Sequence, residues 1–279
     1  MLSAAAMSKT GENFDTPKDA FDRRELAGPF DIVGDVHGCC DELEALLALM
    51  GYALAWSGQG DERTVTVTPP AGRTLVFVGD LVDRGPRVAD VLRIAMAMKD
   101  AGSALCVDGN HDSKFGRWTR GSHVQAGHGL QQSIDEVEAA GPVFRERVRG
   151  FIASLPIYLW LDGGALVVAH AGLKQEMIGR QDGKVRAFAL YGDTTGKVDA
   201  DGYPERRNWA ASYSGEVIIV YGHVAAPDVQ WLNNTICLDT GCCYGGRLTA
   251  MRWPERELVS VAAAKVHYTP KRALADRTR

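Results

Sequence analysis

The sequence predicts an α/β fold that contains a parallel sheet, and three features of the chain support this. Between residues 30 and 107, short runs of β-branched and aromatic residues alternate with segments of helical period. Each apolar run ends in a turn that contains glycine and polar side chains. After residue 235, short apolar runs separated by turn residues predict an antiparallel meander.

The first half of the chain predicts three strands joined by two helices. The strands are expected at residues 30–33, 74–78 and 104–107, where apolar residues cluster. The first helix is expected from about Asp41, and its apolar positions recur at helical spacing: Leu43, Leu46, Leu47 and Met50. The second helix is expected at residues 88–99. This alternation is typical of parallel strands with right-handed crossovers.

The second half is less regular. Residues 113–156 are polar and predict helices, whereas residues 174–214 have little periodicity and predict a long loop over the active face. Further strands are expected at residues 165–169 and 217–221, followed by the strands of the meander: residues 235–238, 247–253 and 257–261.

The length and composition indicate one large domain. Residues 1–28 are polar and predict a flexible N-terminal arm, residues 29–264 form the expected domain, and residues 265–279 form a basic C-terminal tail. The net charge of −4 argues against a protein that grips long duplex nucleic acid. The sequence has no membrane-spanning run and its start does not resemble a secretion signal, so a cytoplasmic protein is expected.

The six cysteines do not form the close pairs of a zinc knuckle. Cys106 and Cys237 lie in apolar runs and are expected in the core. The adjacent pairs, Cys39–Cys40 and Cys242–Cys243, flank polar turns; a structural role is favoured for them, and a redox effect on activity is the alternative.

Polar side chains follow five of the predicted strands. The candidate metal ligands among them are two carboxylates, three imidazoles and one amide: Asp35, His37, Asp80, Asn110, His170 and His223. Because ligands of open α/β sheets gather at the carboxyl ends of strands, we expect these side chains to form one site.

These donor types predict two divalent metal ions. Imidazole and carboxylate ligands suit Mn²⁺, which we favour, and also Ni²⁺, Fe or Zn²⁺. We expect the Asp80 carboxylate to bridge the two ions because it has two oxygens. Two such ions would lower the pKa of a bridging water and hold phosphoryl oxygens for in-line attack.

Three further residues are expected to serve this reaction. His111 adjoins Asn110 and is a candidate general acid, and Asp83 would orient its ring. Arg84 would bind phosphate oxygens through its planar fork. The remaining histidines are interpreted as ordinary core or surface groups: His123, His128 and His267.

The segments Gly34–Gly38, Gly79–Gly85 and Gly109–Asp112, with His170 and His223 after them, resemble the phosphoprotein-phosphatase branch of the calcineurin-like metallophosphoesterases. The resemblance implies two packed mixed β-sheets flanked by helices. It implies one metal at Asp35, His37 and Asp80, and a second metal at Asp80, Asn110, His170 and His223. It also implies that His111 is the acid and that no covalent phosphoenzyme forms.

Within that branch, the segments at residues 31–39, 165–173, 186–192 and 233–242 are similar to the phosphatase module of bacterial polynucleotide kinase-phosphatase. This similarity adds Asp239 to the site, where its position at a strand end fits a supporting role. The sequence lacks a kinase phosphate-binding loop, so no fused kinase or ligase module is predicted. Asp112 stands where protein phosphatases usually carry Glu, which weakens a phosphoprotein substrate.

The predicted function is a dinuclear-metal phosphohydrolase. The favoured substrate is a phosphorylated or cyclic-phosphate end of a nucleic acid, as in RNA repair, or a nucleotide. The alternatives are a symmetrical dinucleoside-tetraphosphate hydrolase and then a serine/threonine protein phosphatase. An alternative of another class is a metal-binding scaffold without catalysis.

Overall fold

The computed structural model describes residues 20–200, 202 and 204–269, which contain six α-helices and fourteen strands. The helices are α1 Cys40–Leu49, α2 Val88–Asp100, α3 Asn110–Thr119, α4 Leu130–Ala139, α5 Pro142–Ala153 and α6 Gly183–Tyr191. The first seven strands are β1 Phe30–Val33, β2 Ala53–Ser57, β3 Thr64–Thr68, β4 Thr74–Phe77, β5 Ala104–Cys106, β6 Tyr158–Leu161 and β7 Leu166–Ala169. The others are β8 Thr194–Val198, β9 Pro204–Arg206, β10 Ile218–Tyr221, β11 Trp231–Leu232, β12 Thr235–Cys237, β13 Arg247–Trp253 and β14 Glu257–Ala262.

Ten of these strands form two five-stranded mixed sheets. The order in the first sheet is β14-β13-β1-β4-β5, and the order in the second is β11-β12-β10-β7-β6. In the first sheet β1, β4 and β5 are parallel, and in the second β7, β10 and β12 are parallel. The predicted parallel strands are therefore present, and the predicted meander is divided between the two sheets.

The two sheets pack face to face around a shared apolar layer. Ile32 and Val76 of the first sheet belong to the same buried cluster as Val168 and Val220 of the second. Side chains alternate along each strand, so Val33 and Phe77 point to the opposite face, where they contact the helices. On the outer face of the second sheet, Val167 packs with residues of α6. These layers confirm the predicted fold class of two packed mixed sheets flanked by helices.

The segment after residue 174 differs from the predicted irregular loop. It contains α6, whose first turn is capped by the Asp182 carboxylate, and an exposed hairpin of β8 and β9. Val185, Phe188 and Ala189 of α6 are buried against the second sheet. The helix was missed because its apolar stripe is short and begins after a glycine.

The packed chain extends beyond both predicted boundaries. Phe21, expected in the flexible arm, is buried against Tyr158, with ring centroids 4.8 Å apart. At the other end, His267 of the predicted tail donates its backbone N–H to the Cys243 carbonyl (3.0 Å). Residues 1–19 of the arm and 270–279 of the tail lie outside the described residues. No helix of the described part is long and apolar enough to cross a membrane.

Candidate metal centre

The predicted site residues converge where the parallel strands of both sheets end. Asp35 and His37 follow β1, Asp80 follows β4, and Asn110 begins α3 just after β5. His170 follows β7 and His223 follows β10 in the second sheet. Because the carboxyl ends of both sets of strands meet, residues far apart in sequence share one buried pocket.

Asp80 lies at the centre of this group. Its Oδ2 is 3.4 Å from Nε2 of His37 and also 3.4 Å from Nε2 of His170. Its Oδ1 accepts the backbone N–H of His111 (2.9 Å). We expected the two oxygens of Asp80 to be shared between two ions. In the structure a single oxygen faces both imidazoles, and the other oxygen accepts a hydrogen bond from the backbone of α3.

The rings of His37 and His170 are oriented by backbone carbonyls. Nδ1 of His37 donates to Val82 (2.9 Å), and Nδ1 of His170 donates to Val78 (3.1 Å). These bonds leave the Nε2 lone pairs directed at Asp80, which is the orientation that metal-binding histidines usually have.

The donor set fits a divalent cation. Nε2 of His170 faces two further acceptors, Asn110 Oδ1 at 2.9 Å and Asp80 Oδ2 at 3.4 Å. Lone pairs that face one another in a buried site are unfavourable unless a cation lies among them. Two sets of three side chains place one donor atom each within 4.8 Å of one another: His37, Asp80 and His111, and Asp80, His170 and His223. Asp35 is in neither set; its carboxylate accepts the His223 backbone N–H at 3.0 and 3.2 Å.

Burial sets the charge of these groups. It raises the pKa of Asp35, an effect that the nearby Asp239 and Asp80 carboxylates increase, and it likewise raises the pKa of Asp80, with repulsion from Asp112 next. Burial lowers the pKa of His170 to about 3, so this ring is neutral. Neutral imidazoles are the protonation state that cation ligands require, and a bound divalent cation would offset the burial and repulsion that otherwise keep these two carboxyl groups protonated.

A second chain of contacts runs from His111 to α4. Nδ1 of His111 donates to Asp83 Oδ2 (2.5 Å), and the other carboxylate oxygen accepts from Ser133 Oγ (2.6 Å). All three side chains are buried, and burial raises the pKa of Asp83 to about 6. Ser133 was not found from the sequence, because nothing near it in α4 distinguishes it from any other helical serine.

Arg84 lies between the two imidazoles of the first sheet. Its Nη1 donates to Nε2 of His37 (2.5 Å), and its Nη2 donates to Nε2 of His111 (2.8 Å). Nε2 of His37 cannot accept from Arg84 and bind a cation at the same time. Cation binding at Nε2 of His37 therefore requires the Arg84 guanidinium to turn away from this ring.

The other predicted residues have supporting positions. Asp239 is buried and its Oδ1 accepts the Gly241 backbone N–H (3.0 Å), which shapes the turn after β12. Asp112 Oδ1 accepts the backbone N–H groups of Leu81 (3.0 Å) and Val82 (3.3 Å), so it holds the turn that carries Asp80. Arg206 of β9 was not predicted, yet its Nη2 donates to Nε2 of His223 (2.8 Å) at the open side of the site.

Comparison with known proteins agrees with this geometry. Residues 28–227 match the family model of the calcineurin-like phosphoesterases. The chain is 43% identical over 246 residues to the asymmetrical bis(5'-nucleosyl)-tetraphosphatase PrpE of Anoxybacillus flavithermus, an alignment that covers 87% of this chain and 97% of that protein. It is 39% identical over 239 residues to the protein of the same name from Bacillus subtilis, with 84% and 95% covered.

Solved structures share the fold. A crystal structure of a candidate diadenosine tetraphosphatase has a TM-score of 0.60 at 26% identity and covers 87% of this chain and 96% of its own. A serine/threonine phosphatase from Saccharomyces cerevisiae has a TM-score of 0.56 at 14% identity, with 89% and 86% covered, and indicates the fold alone.

These findings correct one prediction. The resemblance to the phosphatase module of polynucleotide kinase-phosphatase is not supported, because the relatives matched over nearly their whole length are named as tetraphosphatases. The broader prediction of a phosphoester hydrolase is confirmed, and its family implies divalent metal ions. By the match over residues 28–227, the chain belongs to the calcineurin-like phosphoesterase family.

Proposed function

We propose that this protein hydrolyses dinucleoside tetraphosphates asymmetrically, to a nucleoside triphosphate and a nucleoside monophosphate. The observation that supports hydrolysis is the position of Asp80 Oδ2, 3.4 Å from Nε2 of both His37 and His170. The substrate class follows from relatives that carry this name and align over 95–97% of their own length.

We propose that the site binds two divalent cations, and Mn²⁺ is the first metal to test. Asp35, His37 and Asp80 would hold one, and Asp80, Asn110, His170 and His223 the other; the His223 N–H would orient the Asp35 carboxylate, whose oxygens keep further lone pairs for the cation. When bound, the cations supply Lewis-acid activation of water and neutralise phosphoryl charge.

The chain's own residues then position the substrate. Arg84 is proposed to leave His37 and His111 and donate both Nη groups to phosphoryl oxygens, for which a guanidinium fork is suited. Its departure exposes Nε2 of His111. Arg206, on the exposed hairpin beside His223, is placed to contact the phosphates nearer the entrance.

His111 is proposed as the proton donor to the leaving group. Hydrolysis adds water across one P–O–P bridge: the attacked phosphorus gains an oxygen from water, and the bridging oxygen leaves with the other phosphorus. Once Arg84 has left, Nε2 of His111 would take up a proton from water and give it to that oxygen, while Nδ1–H stays with Asp83, 2.5 Å away. Ser133 fixes the Asp83 carboxylate and therefore the ring.

The test is product analysis with diadenosine tetraphosphate and Mn²⁺, followed by chromatography. Equal amounts of ATP and AMP are expected. Formation of ADP alone would indicate symmetrical cleavage and would refute the proposed asymmetrical position of cleavage. A 3'-phosphorylated oligonucleotide and a phosphopeptide are assayed in parallel; turnover of either without turnover of the dinucleotide would refute the proposed substrate class.

A further inference from the structure

Two thiols and a carboxylate form a second buried cluster beside the metal centre. Cys39, Glu42 and Cys242, called here the thiol cluster, each place one donor atom within 4.8 Å of the others. Their exposed fractions are 0%, 4% and 2%. None of the three belongs to the predicted catalytic site.

The Glu42 carboxylate is only half satisfied. Its Oε1 accepts the backbone N–H of Ala264 (3.0 Å) and a hydrogen bond from Nε2 of His267 (2.9 Å). Its Oε2 is buried and has no hydrogen-bond partner among the described residues. A buried carboxylate oxygen without a partner is costly, so it indicates a missing positive group.

Three separate segments hold the cluster in place. Cys39 immediately precedes α1, and Glu42 lies in the first turn of that helix. Cys242 begins the short turn after β12, and His267 is tied to this turn by its backbone bond to the Cys243 carbonyl. Because each donor lies on anchored backbone, the convergence does not depend on an exposed loop.

We propose that the thiol cluster binds one soft divalent cation of the Zn²⁺ class, through Cys39, Cys242 and Glu42. Thiolate ligands favour Zn²⁺, and a closed, buried set of donors is typical of structural sites. Nε2 of His267, 2.9 Å from Glu42 Oε1, orients the carboxylate of the proposed ligand Glu42. Binding displaces the two thiol protons and leaves the oxidation state of every atom unchanged.

Such a cation would join the two halves of the active face. Cys39 is two residues after His37, and Cys242 is three residues after Asp239. Nη1 of Arg84 lies 4.0 Å from Sγ of Cys243, so the turn that carries Cys242 also contacts the proposed phosphate clamp. The cation is therefore expected to act structurally, by holding the loop after β1 against the turn after β12.

Cobalt spectroscopy separates this site from the catalytic centre. The predicted catalytic ligands contain no sulfur, and among the described residues the thiol cluster is the one group of converging donors that includes cysteine, so a thiolate-to-Co²⁺ charge-transfer band in the near ultraviolet would report this cluster. The reduced, metal-free full-length chain is titrated with Co²⁺. The band is expected to saturate within three equivalents, because the catalytic centre is proposed to take two, and to persist in Asp80→Asn, which removes the shared ligand of that centre.

Matched cysteine variants complete the test. Cys39→Ser and Cys242→Ser are each expected to reduce the band at least tenfold, whereas Cys40→Ser should retain it, because Cys40 Sγ instead contacts Glu44 (3.5 Å). X-ray absorption of the wild-type Co²⁺ protein should detect sulfur neighbours, and this measurement does not depend on a variant that folds. No band in the wild type, a band that survives both substitutions, or loss of two free thiols to a disulfide would overturn the proposal.

Discussion

The two sides of the metal centre differ in how firmly their ligands are held. On the side of the first sheet, His37, Asp80 and His111 are all buried, and every ring nitrogen has a partner within the chain. On the side of the second sheet, His223 is only partly buried, and its Nε2 meets Arg206 of an exposed hairpin.

This difference indicates that the two sides of the site have different functions. On the enclosed side, bonds from Nδ1 to Val82 and Asp83 hold the His37 and His111 rings while Arg84 is proposed to move, and such fixed rings suit groups that stabilise charge and transfer protons. An open side bordered by a surface hairpin suits contacts with the distant parts of a substrate. Four predictions test this contrast.

Asp80→Asn is expected to have the largest effect because Asp80 belongs to both sides. Hydrolysis should fall by at least about 10³-fold, since both cation positions lose their shared ligand. Metal content and turnover are measured together. Asp100→Asn, which changes an exposed aspartate paired with Arg147, should leave both unchanged. An Asp80→Asn protein that keeps full metal content and activity would remove Asp80 from the centre.

His111→Gln tests the enclosed side alone. Turnover of esters with poor leaving groups should fall by about 10²-fold, while metal content and the rates of activated esters change far less. Rates are compared across leaving groups of graded pKa. An equal loss for all of them would contradict the proton-donor role and would indicate a role in binding.

Arg206→Ala tests the open side. We expect kcat/KM for the dinucleotide to fall about tenfold, or ~1.4 kcal/mol, mainly through a higher KM. The neighbouring Arg207→Ala is the control, because Arg207 pairs with Asp193 (3.1 Å) rather than with the site. If kcat falls and KM stays constant, Arg206 acts on the chemical step and the proposed contrast is wrong.

Asp90→Asn is expected to have the smallest effect of the four, because it changes the stability of the fold that carries the enclosed side and not the site itself. Burial favours the neutral acid, but hydrogen bonds from Arg63 and Arg87 outweigh it and lower the pKa of Asp90 below 3.8. Its stabilisation is therefore complete above the unfolded value and is lost as the pH falls through the lower folded value. Asp90→Asn should reduce the free energy of unfolding at pH 7 by roughly 1–3 kcal/mol.

Denaturant unfolding at pH 7 and at pH 3 measures this effect. The difference in unfolding free energy between wild type and Asp90→Asn should narrow at pH 3, because the carboxylate of the unfolded chain, with a pKa of about 3.9, then takes up a proton that the native carboxylate resists. Glu146→Gln, at an exposed pair with Arg149, is the matched control and should give almost no gap. A gap that is constant with pH would contradict the ionic origin of the stabilisation.

Residues at the ends of parallel strands could be predicted from the sequence, whereas residues placed by the packing of a helix or a hairpin could not. The candidate ligands after β1, β4, β7 and β10 could be predicted because each follows an apolar run, and parallel strands bring such residues to one edge of a sheet. Ser133 and Arg206 were missed because their positions depend on how α4 and the β8–β9 hairpin pack, which no local pattern records. The strand β6, Tyr158–Leu161, was also missed, although Pro156 precedes it and Gly163 and Gly164 follow it, because the run is only four residues long.

Sequence reasoning also failed at the thiol cluster. Cys39 and Cys242 lie far apart in the chain and have no neighbouring cysteine at metal-ligand spacing, so only the folded structure brings them together with Glu42. The sequence did indicate that both cysteine pairs flank the site loops, and this position is correct.

Left-handed backbone at the active face has a consequence for the lifetime of the protein. His37, Asp80, Asp83, Arg84 and His223 all have φ between 45° and 73°, and side chains other than glycine adopt this conformation at a cost of about 1–3 kcal/mol each. Cations that bind only the native arrangement offset this cost by mass action. A cell short of divalent metal would therefore hold a protein that is both inactive and more readily unfolded and degraded, so that its abundance follows metal supply.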